Sequence, residues 1–105
     1  MVEVGIYAKD KVIHKVEITG HANYSSKGQD LVCAGVSSIS VGILNAIDQL
    51  ADGSCTSLMN EGCVKIEVNK LNCEVAQTIL QVMLIQLRTV ETSYRKYICI
   101  RELEV

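Results

Sequence analysis

The chain predicts an α+β fold: a two-layer sandwich of a mainly antiparallel sheet with two helices, in the order β-β-α-β-β-α-β. Three observations lead there. Five short stretches alternate apolar with polar residues, the pattern of half-buried strands. Two longer stretches space their apolar residues by three and four, the pattern of helices. Strands and helices are also mixed without the strict strand-helix-strand alternation that builds an all-parallel sheet.

Each element has its own warrant. Val2, Val4 and Ile6 alternate with Glu3, Gly5 and Tyr7, and the polar "AKDK" at residues 8–11 reads as a turn. Val12, His14, Val16 and Ile18 then share one parity and complete a hairpin. Residues 20–29 lack periodicity and are rich in Gly, Ser and Asn, so they read as a loop. A helix is expected from Cys33, with its apolar face at Val36, Ile39, Ile43, Leu44, Ile47 and Leu50 and a stop at Gly53. Residues 55–59 and 64–68 read as two strands joined by the turn "NEG". Asn72 is placed to cap a second helix running to about Thr92, with core positions Val75, Ile79, Val82, Met83 and Leu87. "YICIRELEV" closes the chain as an alternating strand.

The 105 residues fit one domain, read as spanning residues 1–105, and nearly half of them are hydrophobic. The chain has no Phe, Trp or Pro, so its core must be aliphatic. The net charge is -2, with the ten Lys and Arg scattered, which argues against a nucleic-acid surface built on a clustered basic patch. Met1 is followed by alternation rather than a basic and then apolar leader, so no secretory signal is expected. No unbroken run of about 18 apolar residues occurs, and no membrane span is expected. Five cysteines, at 33, 55, 63, 73 and 99, show no C-x-x-C spacing and have only two histidines beside them. Zinc, other metals and cofactors are therefore not expected. Reduced thiols in the cytoplasm fit best.

Chemistry concentrates in "GHANYSSKGQDLVCAGVSS", residues 20–38. A cysteine attacks as its thiolate, and a helix N-terminus or a nearby His lowers its pKa. Cys33 at a helix start and His21 across the loop would satisfy both conditions and form an activated nucleophile. The bland reading places Cys33 in the core and lets His21 bond backbone. Asp30 can cap the helix or orient His21. Ser37, one turn after Cys33, faces the same way and can bond within the site or simply pack. His14, inside a strand pattern, reads as structural.

The stretch "ITGHANYSSKGQDLVCAGVSSI" resembles the signature of the bacterial ribosomal-processing cysteine protease family. The resemblance rests on Gly20-His21, Gly28-Gln29-Asp30 and the run from Val32 through Ser37. It implies a cysteine endopeptidase that removes a short N-terminal extension from the large-subunit ribosomal protein L twenty-seven. It also implies His21 and Cys33 as the catalytic pair, Asp30 and Ser37 beside them, and a homodimer. Family substrates carry paired Phe residues before the cut. Rival readings are a non-enzymatic ribosome-assembly or protein-binding module, a thiol redox sensor and a nucleotide hydrolase. The sensor lacks a second cysteine near Cys33 in sequence, and "SSKGQD" lacks the Gly-Lys-Ser order of a phosphate loop.

Overall fold

A computed structural model describes the backbone of residues 1–20 and 27–105 and the side chains of residues 1–20 and 31–105. The elements are β1 (Val2–Lys9), β2 (Val12–Thr19), α1 (Lys27–Leu50), β3 (Cys55–Asn60), β4 (Cys63–Val68), α2 (Glu74–Tyr94) and β5 (Ile98–Glu104). This is the predicted order. The five strands form one sheet, β3-β4-β2-β1-β5. Every ladder is antiparallel except that of β1 with β5.

The first hairpin shows how sequence sets register. Val2, Val4 and Ile6 are buried, as their alternation requires. Asp10 and Lys11 turn the chain with φ of 50° and 68°, the left-handed pair that matches strand twist in a two-residue hairpin. On β2 the expected parity breaks. Tyr7 pairs with Lys15 but Ala8 with Ile13, so His14 is an extra residue, a β-bulge. The bulge turns Ile13 into the core, at 1% exposure, and leaves Val12 and His14 only half-buried. It also leaves the Ile13 peptide without a strand partner on the β4 side, since that ladder begins at Lys15. Gln77 of α2 fills the place: its amide nitrogen donates to the Ile13 carbonyl and its oxygen accepts from the Ile13 N–H, both at 2.8 Å.

The helices differ from expectation in three ways. α1 begins at Lys27, six residues before Cys33. α2 takes Cys73, not Asn72, as its N-cap, and no side chain caps it. Its buried face is Ala76, Ile79, Leu80, Met83 and Leu87, while Val75 and Val82 are exposed. The cause is a second apolar row, Val75, Val82 and Ile85, on the outer side of the same helix. Hydrophobicity alone does not tell the two rows apart. On α1 the buried row is Val32, Val36, Ile43 and Ile47, with Ile39 and Leu44 at its margin and Leu50 exposed.

The apolar faces of strands and helices form one cluster, and the other sheet face is mostly polar, with Leu58 and Leu103 exposed on it. There Lys65 lies 3.6 Å from Glu17, and the Lys15 ammonium sits 4.5 Å above the Tyr7 ring. The segment Leu31–Leu50 is long and apolar enough to cross a membrane by length and composition, at mean hydropathy 1.6. Ser37, Ser38, Ser40, Asn45, Asp48 and Gln49 interrupt it, so it holds no unbroken apolar run of that length. In this fold its buried row packs into the core.

Candidate active site

β2 ends beside a constrained glycine. Gly20 has φ of +81°, and a Cβ there would stand 2.5 Å from the Met1 carbonyl oxygen. Only glycine serves in that conformation and that space. The Gly-His step thus has a backbone reason for its first residue. β4 runs antiparallel to β2 with Thr19 opposite Cys63, which sets the β3–β4 turn beside the end of β2. Asn60 opposite Cys63 leaves Glu61 and Gly62 as a two-residue turn, with Gly62 at φ +88°.

Against this end of the sheet lies α1. Cys33, Val36, Ser37 and Ser40 recur at helical spacing on one side of it. Together with the turn they border a cleft of about 240 Å³. Ile18, Val36, Met59 and Val64 give it an aliphatic lining, and Asn60 and Glu61 add polar groups from the turn. Cys33 is half-buried and packs against the core, whereas Ser37 is exposed. Ser40 is fully buried and donates its hydroxyl to the Val36 carbonyl at 2.8 Å, so it serves packing.

Of the four residues singled out in the sequence, the structure brings Cys33 and Ser37 to one cleft. His21 lies outside the described residues, and Asp30 is described in its backbone alone. That backbone is helical, so Asp30 is not the cap of α1. Cys33 is likewise not in the first turn: an α-helix leaves its first four amides unbonded, and Cys33 comes later. The expectation that Cys33 stands at a helix start is therefore overturned. His14 sits toward the far end of β2 from Ile18, away from the cleft.

No disulfide joins any two of the five cysteines. The Cys55 thiol is pushed up by burial, against a lowering hydrogen bond from Ser54, with the neighbouring Cys73 raising it further. A raised pKa keeps it protonated and unreactive. Sequence reasoning missed Met59, Asn60 and Glu61 as cleft residues. Their only local signal was a turn, and what makes them neighbours of Cys33 is the pairing of β4 with β2.

A half-buried thiol opening on an aliphatic cleft is an arrangement suited to nucleophilic attack on an apolar peptide, and comparison with known proteins fixes the class: the chain is a cysteine protease. It belongs to the family Cysteine protease Prp, which it matches over residues 1–99. It is 38% identical over 92 residues to the ribosomal processing cysteine protease Prp of Bacillus subtilis, a match covering 82% of each chain. Its fold resembles the essential ribosomal processing protease Prp of S. aureus in complex with a substrate peptide. The TM-score is 0.90 at 32% identity, covering 97% of this chain and 99% of that one. A second structure of the S. aureus protein, with a covalently linked product peptide, matches at TM-score 0.87 and 33% identity with the same coverage.

Proposed function

We propose that this protease removes a short N-terminal extension from the ribosomal protein L twenty-seven of the large subunit, acting in the cytoplasm as a homodimer. The observation that carries the site is the cleft that Cys33 and Ser37 share, closed by aliphatic side chains able to receive an apolar residue of the substrate. The names of the relatives, ribosomal processing proteases, support the substrate class. The covalently linked product peptide on the S. aureus protein supports a covalent route. The exposed row Val75, Val82 and Ile85 on α2 offers apolar surface for a second copy.

In this reading the Cys33 thiol gives its proton to His21, and its sulfur attacks the scissile carbonyl. His21 then passes that proton to the leaving amine, and a thioester to Cys33 remains. Water, losing a proton to His21, hydrolyses the thioester and restores the thiol. Asp30 orients His21, and the Ser37 hydroxyl donates a hydrogen bond within the cleft.

Mass spectrometry of a synthetic L twenty-seven precursor tail incubated with the protein tests the proposal. The expected result is one internal cut by the wild type. Cys33→Ala and His21→Ala should each lose roughly a thousandfold or more in rate. Cys55→Ala, Cys63→Ala, Cys73→Ala and Cys99→Ala should retain cleavage. An uncut tail, or a Cys33→Ala protein that cuts at the wild-type rate, overturns it. Sedimentation at micromolar concentration tests the dimer.

A further inference from the structure

The cleft has one acidic wall. Among its described lining residues Glu61 is the only one that carries charge at neutral pH; the rest are aliphatic, hydroxyl, amide or thiol. Glu61 is exposed, and none of the ion pairs among the described residues takes it. The nearest basic residue on β4, Lys65, is engaged with Glu17 on the polar face of the sheet. The backbone that carries the carboxylate is also held in place from below. Asn60 and Cys63 are ladder partners, so Glu61 belongs to a two-residue turn, and Gly62 supplies the positive φ that the turn needs. A turn that short moves with its strands, and β4 is paired on both sides.

From this geometry we infer that Glu61 is a specificity-determining residue, which selects peptides carrying a Lys or Arg at one position near the scissile bond. The inference rests on Cys33 being the nucleophile. A peptide whose carbonyl reaches the Cys33 sulfur lies along a cleft bordered by α1 on one side and this turn on the other. Its aliphatic lining takes an apolar side chain. A neighbouring side chain then comes to the rim, where the Glu61 carboxylate attracts a cation and repels an anion. At an exposed site such a pair is worth at most a few-fold in affinity and weakens with salt.

The test uses the synthetic precursor tail and variants of it in which each residue flanking the cut is replaced in turn by Lys, Gln and Glu. For the wild type, one position should show a preference for Lys over Glu of about fivefold to tenfold in kcat/KM, carried by KM and reduced at high salt. In Glu61→Gln the preference at that position should shrink toward unity, and in Glu61→Lys it should invert. The preference at other positions should not change. Thermal unfolding of both variants should match the wild type, since the side chain is exposed. A wild type that cuts the tail with no charge preference, or a preference unchanged in Glu61→Lys, overturns the inference and leaves the endopeptidase reading standing. A tail that stays uncut removes both.

Discussion

The two helices cover the same sheet by different means. α2 is latched to the strands by polar side chains. Gln77 clamps the Ile13 peptide on both its groups, Glu91 accepts from the Ile100 N–H at 3.0 Å, and Arg88 bridges Glu91 and Glu102. For α1, leaving Cys33 aside, no described side chain makes a hydrogen bond or ion pair to a strand, and Ser40 bonds only its own helix. α1 is held by apolar contact through Val32, Val36, Ile43 and Ile47. The two helices thus divide their labour. One helix commits its polar groups to fixing the sheet. The other leaves Ser37 exposed on the cleft.

The largest loss is expected on α2. Gln77→Ala strands two partly buried backbone groups, and each unmade bond of that kind costs about 1–3 kcal/mol. Urea unfolding should show a loss of roughly 2–4 kcal/mol at unchanged denaturant slope. A neutral result would show that the clamp holds nothing. Arg88→Met should lose less, up to about 1 kcal/mol, because the side chain is 40% exposed, and high salt should narrow the gap to the wild type. Ser40→Ala on α1 should shift stability by no more than about 0.5 kcal/mol, since the lost bond is local to the helix. A loss comparable to that of Gln77→Ala would mean that α1 depends on polar contacts after all.

What the sequence showed, and what it hid, follows the same division. Alternation in β1 and β4 was legible because a half-buried strand has no other way to segregate its side chains. The parity of β2 was not, because a bulge at His14 leaves no local mark; it becomes visible only when β1 is laid beside it. On α2, Val75 and Val82 look like core residues to any count of apolar spacing, and only the sheet decides which of two rows turns inward. The site was legible as residues before it was legible as a place. Cys33 and Ser37 stood out by type and spacing, whereas Glu61 reaches them through β4 pairing. The start of α1 was misread because "SSKGQD" looks like a loop by composition, yet its last part is helical.

The parallel ladder of β1 with β5 has a consequence for how the molecule assembles. It sets Val2 opposite Ile98, nearly the whole chain apart, whereas the β1–β2 and β3–β4 hairpins close through two residues each. The entropic cost of closing a loop grows only logarithmically with its length, but contacts of such separation slow the search for the native state. During synthesis on the ribosome, β1 can pair with β2 long before β5 emerges. Until then one side of β1 is an open edge able to accept a strand from another chain. The last strand replaces that edge with its own, which carries Arg101, Glu102 and Glu104, charges of the kind that blunt an edge.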